Sequence, residues 1–224
     1  MLRHIVLAGS ALALVLSMTA SASAQFGRGF SIPPIVQDIM MMNTAEVQKE
    51  LTLSPDQTKS ITDIAKQMQA EAMEIMSGLQ DLTPEERQEE LPKVMEMIVD
   101  KAKDLQTKVD GILDDKQTGR VKELSLQRRG VEALSDDEVI AALKLTDEQK
   151  KNLSDLRDEA GAKQQELFQS FSGANRDEIR EKMMALRKEM GDKALAVLTT
   201  EQRDAFDKMK GAKFEFPRQR GFGF

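Results

Sequence analysis

The sequence predicts an all-α protein: long amphipathic helix hairpins in two tandem repeats, with no β-sheet. Three observations predict it. Apolar residues recur at steps of three and four through most of the chain, the spacing of one helix face. A hydroxyl or acidic residue followed three positions later by Gln recurs at matching places in the two halves, the signature of a helix start. No segment alternates apolar with polar as a half-buried strand does. Aromatic residues make up 4% and charged residues 31% of the chain, which suits solvated helices better than a thick core.

Residues 1–24 read as a cleavable signal peptide. Met1-Leu2-Arg3-His4 is a short basic start, and Ile5 to Met18 is apolar apart from Gly9, Ser10 and Ser17. Ala22-Ser23-Ala24 gives the small-x-small cleavage pattern, with cleavage before Gln25. The apolar core falls short of the roughly 20 residues a membrane span needs, so stable membrane insertion after cleavage is not expected. The expected location is periplasmic or secreted.

Cleavage removes His4, the one histidine, and leaves a chain without His, Cys, Trp or Tyr. Ser-His-Asp and Cys-His catalysis, thiol redox chemistry and His or Cys zinc sites are thereby excluded. No calcium-loop motif is present, and no carboxylate pair stands out. The expectation is therefore no enzyme, no catalytic residue, no metal and no cofactor. Net charge goes from −6 to −7 with the loss of Arg3, which argues against nucleic acid as a partner.

After an N-terminal tail and short helix over 25–42, the repeats are expected over 43–130 and 131–212. Asn43–Gln57 aligns with Ser135–Gln149 at an offset of 92 residues, placing Val47, Leu51, Leu53 and Gln57 on Val139, Leu143, Leu145 and Gln149. Farther on, Leu113-Asp114-Asp115-Lys116-Gln117 aligns with Leu198-Thr199-Thr200-Glu201-Gln202 at an offset of 85. The first half thus carries seven extra residues, expected near Arg87 to Lys93. Seven residues are two helical turns and rotate a helix face by only about 20°.

In the first half one stripe is Ile61, Ile64, Met68, Ala72, Ile75 and Leu79, and the next is Leu91, Val94, Ile98, Ala102, Leu105, Val109 and Ile112. The second half has Leu153, Leu156, Ala160, Leu167 and Phe171, then Ile179, Met183, Leu186, Met190, Ala194 and Val197. Ser54/Gln57, Thr146/Gln149 and Thr199/Gln202 read as capping boxes, with Thr83/Glu86 and Ser135/Glu138 as the Glu version. Pro55 and Pro84 fall at the first helical position, where the missing N–H costs nothing. The leucine before each cap anchors the chain's entry. Hydrophobic staples are expected at Met42/Val47 and Leu134/Val139. Gln127-Arg128-Arg129-Gly130 reads as a helix end. Pro92 is expected to kink its helix or start it afresh.

Leu145-Thr146-Gln149 and Leu198-Thr199-Gln202 match the Leu-Thr-x-x-Gln motif in full, and Leu53-Ser54-Gln57 and Leu113-Asp114-Gln117 are variants of it. On these residues the chain resembles the LTxxQ-motif periplasmic stress proteins, the Spy/CpxP group. That resemblance covers about Asn43 to Lys210. It implies a curved helical hairpin and a role as an ATP-independent chaperone, an inhibitory partner of an envelope stress sensor, or a metal-tolerance protein. Members resembling this group carry one motif pair per subunit and dimerise into a cradle. The two pairs here imply a pseudo-dimer within one chain, with a homodimer as the alternative. The absence of histidine from the mature chain counts against the metal role.

Expected partners are unfolded or envelope proteins, held on a helical cradle; the alternative is a regulatory or structural protein binding one defined envelope partner. Twelve methionines remain after cleavage. Met68, Met183 and Met190 lie on the stripes as core. Met73, Met95 and Met184 lie beside them and are the client-binding candidates, because methionine adapts its shape to varied surfaces. Residues 213–224, like Gln25 to Phe30, combine Gly, Arg and Phe without periodicity and are expected to be disordered.

Overall fold

The computed structural model describes residues 33–170 and 176–217; residues 1–24, expected to be a signal peptide, Phe171, and the Phe-Gly-Arg segments at 25–30 and 218–224 lie outside them. The described residues form nine α-helices and one 3₁₀ segment, with no strand among them, as expected of an all-α chain. None of these helices is long and apolar enough to cross a membrane. By packing, the chain divides into two compact units, with the division inside one helix between Val121 and Lys122.

The first unit begins with α1 (Pro34–Met42), which lodges Ile35, Val36, Ile39, Met41 and Met42 in the interior. Helix α2 (Ala45–Glu50) follows, then α3 (Pro55–Gln80) and α4 (Pro84–Asp110). Helix α1 packs on both α3 and α4. Most of the expected stripes are buried, namely Ile61, Met68, Ala72, Ile75 and Leu79 on α3 and Leu91, Val94, Ile98, Ala102, Leu105 and Val109 on α4, while Ile64 and Ile112 are only half-buried. A short turn joins the two helices, and Arg87 ties it down by donating from Nε to the Leu79 carbonyl at 3.0 Å and from Nη2 to the Leu82 carbonyl at 3.3 Å.

Pro92 does not restart α4, which runs unbroken past it. The side chain is exposed, so the helix position that lacks an N–H faces water, where the freed carbonyl can be solvated.

Helix α5 (Asp115–Arg129) ends where expected, with Arg128 and Arg129 in its last turn and Gly130 at φ +54°. The expected repeat boundary at Gly130 and the packing division inside α5 differ for a specific reason. Leu126, ahead of the helix end, already belongs to the second core.

The second unit continues through the 3₁₀ segment Gly130–Ser135, then α6 (Asp137–Leu143), α7 (Asp147–Ser170), α8 (Arg176–Val197) and α9 (Thr200–Met209). Its core gathers Leu126, Ala133, Leu134, Val139, Leu143, Leu145, Ala194, Leu198 and Phe206. The 3₁₀ segment packs on both α7 and α8.

The expectation of disorder from residue 213 gives way over 213–217. The Gln127 side chain donates to the carbonyls of Lys210 (2.6 Å) and Ala212 (2.8 Å) and accepts from the Phe214 N–H (2.9 Å). Phe214 and Phe216 stack edge to face at 5.0 Å. Gly211, at φ +62°, permits the turn: a Cβ there would lie 2.0 Å from a Glu123 carboxylate oxygen.

Candidate functional site

The capping boxes at Ser54, Thr83 and Thr199 form as read, each hydroxyl accepting from the third helical N–H while the Gln or Glu accepts from the cap N–H. Thr146/Gln149 closes the same way at 3.2 and 3.1 Å. Asp114 substitutes a carboxylate, accepting from the Gln117 N–H at 2.8 Å while Gln117 Oε1 accepts from the Asp114 N–H at 3.0 Å. Hydrogen bonding to the Thr83 backbone holds the Glu86 carboxyl below its ordinary range.

Ser135 departs from the expectation. It belongs to the 3₁₀ segment and donates to the Glu132 carbonyl at 2.9 Å. The cap of α6 is Asp136, whose carboxylate is held by both terminal nitrogens of Arg129 and makes no side-chain capping bond. The aligned cap of α2 is Thr44, one position later than the Met42/Val47 staple requires, and its hydroxyl turns back to the Met41 carbonyl at 2.8 Å. Met42, Val47, Leu134 and Val139 are all buried nonetheless.

The four motif glutamines do more than cap; they meet in pairs. In the first unit Gln57 Nε2 donates to Gln117 Oε1 at 2.8 Å and Gln117 Nε2 returns a bond to Gln57 Oε1 at 3.0 Å. Each amide also reaches a helix-end carbonyl, Gln57 that of Ile112 at 2.7 Å and Gln117 that of Leu51 at 3.3 Å. In the second unit Gln149 and Gln202 exchange bonds of 2.7 and 3.1 Å. They reach the carbonyls of Val197 at 2.9 Å and Leu143 at 3.2 Å.

The two clasps use aligned residues throughout. Gln57 and Gln117 are 60 residues apart, Gln149 and Gln202 are 53 apart, and the difference is the seven-residue excess of the first half. Each clasp binds the starts of two helices and the ends of two others into one polar knot. An unpaired buried amide or carbonyl would cost about 1–3 kcal/mol, which makes the knot specific as well as cohesive.

Backbone geometry prepares each knot. Thr52 and Lys144, aligned at the offset of 92, both take a left-handed conformation, at φ 49° and 51°. The following N–H groups of Leu53 and Leu145 bond back to the carbonyls of Gln48 (3.0 Å) and Ile140 (3.1 Å), the six-to-one bond of a Schellman helix end. This reversal turns the carbonyls of Leu51 and Leu143 towards the glutamines. Leu113, Leu145 and Leu198 are buried beside the caps, and Leu53 is half-buried.

The sequence contained a usable signal for this pairing. Glu suffices for a capping box, as Glu86 shows. Only Gln adds an amide donor, and Gln stands at every cap that meets another.

Two of the three client-binding candidates have described side chains, and both are exposed. Met73 on α3 is 64% exposed and Met184 on α8 is 63% exposed, while Met95 lies on α4 with its side chain outside the described ones. Val99 on α4 is exposed too. Met68 and Met190 are core, but Met183 is only half-buried. The α7 stripe departs further from expectation: Leu153, Leu156, Ala160 and Leu167 are all half-buried, and no described side chain of α7 is fully buried. The physical reason is thinner cover. Five buried residues of helix α1 lie over the first hairpin, whereas the 3₁₀ segment in the aligned place buries Ala133 and Leu134.

Between α7 and α8 the polar groups form a closed ring. Lys163 meets Glu159 at 3.1 Å and Glu189 at 2.9 Å, and Lys193 meets Glu159 at 2.9 Å and Glu189 at 3.1 Å. The bond from Lys193, then that from Lys163, draws the Glu159 carboxyl below its ordinary range; for Glu189 the order is Lys163, then Lys193. Among the described residues no group of three or more Asp, Glu, His or Cys side chains is placed to hold a metal ion. Compared with protein-family models, curated proteins and solved structures, the chain matches none.

Proposed function

We propose that this chain is an exported, non-enzymatic binding protein of the LTxxQ kind, and that it holds unfolded envelope proteins on its helical surfaces without ATP. The two halves are read as a tandem duplication, each built on one glutamine clasp. The observation that carries the reading is the unfilled apolar surface: Met73, Val99 and Met184 exposed, and the α7 stripe half-buried along its described length. Flexible methionines set among charged residues suit clients of varied shape. The support from residue chemistry is independent. A chain that loses its one histidine on export retains few groups able to catalyse anything.

The experiment is client aggregation, followed by light scattering, with the mature chain at near-stoichiometric amounts. The expected result is suppression for several unrelated clients, weakened by Met73→Glu with Met184→Glu while helicity is unchanged. No suppression for any client overturns the reading. Capture of one saturable envelope protein in place of general suppression would establish the regulatory alternative.

A further inference from the structure

The ring of Glu159, Lys163, Glu189 and Lys193 has a companion feature in the backbone. Gly161 lies on α7 between Glu159 and Lys163, and Gly191 lies on α8 between Glu189 and Lys193. Neither glycine is demanded by space or by backbone conformation. A Cβ at Gly161 would meet nothing within 4 Å, and one at Gly191 would make an ordinary contact with Val131 Cγ2 at 3.9 Å. A glycine inside a helix costs about 1 kcal/mol relative to alanine. Both helices of the hairpin are therefore weakened at the same level, and that is the level at which charge ties them together.

The first unit lacks both features. The residues aligned with the ring are Gln67, Glu71, Asp104 and Lys108, and those aligned with the glycines are Gln69 and Gln106, both good helix formers. Among the described residues no ion pair joins α3 to α4; Glu71 instead accepts from Gln67 on its own helix at 2.8 Å.

We propose that Gly161 and Gly191 form a hinge across the second hairpin, held shut by the four-membered ion ring, so that screening or neutralising the ring loosens α7 from α8 and bares the half-buried leucines of α7. Exposed single pairs stabilise weakly and are screened by salt. Four such contacts closed in a ring, acting where both helices are weakest, make the opening depend on charge in this hairpin alone. The inference does not rest on the chaperone reading, because it concerns a motion of the free chain.

The sign with pH follows from the carboxylates. Pairing lowers the pKa of Glu159 and of Glu189, so their contribution is present at neutral pH and is lost as pH falls through their folded values, below the ordinary carboxylate value of about 4.5. The lysines are shifted upward, so their contribution fades only above their ordinary value of 10.5. On the 3₁₀ segment packed against both helices, Glu132 is the one titratable side chain.

Amide hydrogen exchange on the full mature chain, resolved by peptide, tests the hinge. Raising salt from about 20 mM to 0.5 M, or introducing Glu159→Gln with Glu189→Gln, is expected to speed exchange over 155–167 and 185–195 by roughly fivefold. The aligned stretches of α3 and α4 should be unmoved. Exchanging all four charges, Lys for Glu and Glu for Lys, should restore protection. Gly161→Ala with Gly191→Ala should abolish the salt response. Exchange that ignores both salt and the Gln variant, or that changes equally in the two hairpins, overturns the proposal, as does a salt response that survives in the alanine variant.

Discussion

The two hairpins are built on the same clasp and stabilised differently. In the first, α3 buries Ile61, Ala65, Met68, Ala72, Ile75 and Leu79, and α1 packs on it. In the second, α7 buries none of its described side chains fully, and the helices are joined at mid-length by ions. Charge divides the same way: residues 31–121 carry 10 Lys and Arg against 18 Asp and Glu, net −8, while residues 122–224 carry 20 of each. A hairpin consolidated by apolar burial tolerates a large net charge. One held by crossed ion pairs needs balanced signs. What the units share is the polar knot that fixes register; what differs is how much apolar surface remains to offer.

The largest effect should come from matched truncations at Ile61 and Leu153, aligned residues of α3 and α7. Ile61 is wholly buried and Leu153 half-buried. Ile61→Ala should cost about 3–4 kcal/mol and Leu153→Ala about 1 kcal/mol, read from urea unfolding. Equal losses would erase the distinction between the hairpins.

Next come the clasps. Gln117→Ala strands the Leu51 carbonyl and the Asp114 N–H and removes the bonds exchanged with Gln57, which keeps those to the Ile112 carbonyl and the Ser54 N–H, at a cost of about 3 kcal/mol. Gln202→Ala should cost somewhat less, because Gln117 is 7% exposed and Gln202 lies nearer solvent. Calorimetry resolving two transitions would show whether each substitution unfolds its own unit first. A loss below about 0.5 kcal/mol in both would reduce the clasp to an ordinary cap.

The smallest effect has the opposite sign. Thr52 holds a left-handed conformation that is costly for a β-branched residue. Thr52→Gly should therefore stabilise by about 0.5–1 kcal/mol, and Lys144→Gly by less, since lysine is not branched at Cβ. Melting temperature decides it, and a drop at both positions would mean that these side chains support the turn.

Much of this was legible along the chain. The helical stripes, the caps at Ser54, Thr83, Thr146 and Thr199, the helix end at Gly130 and the aligned offsets all follow from local chemistry, in which a residue and its partner lie three or four positions apart. Ser135 was misread because Arg129 takes the carboxylate of Asp136 and the 3₁₀ segment runs one residue further. The docking of 213–217 was hidden because its partner, Gln127, is 87 residues away from Phe214.

By itself the sequence determined that the chain is helical, where most helices start, and that two motif pairs recur at matching separations. Those are consequences of short-range hydrogen bonding and of apolar spacing along one helix. Only the tertiary structure decided that the capping glutamines clasp one another in pairs, that α1 packs on one hairpin while the α7 stripe of the other stays half-buried, and that Glu159, Lys163, Glu189 and Lys193 close into a ring. Pairing, cover and ion geometry depend on which surfaces meet in space, and a one-dimensional pattern of residue types does not encode those distances.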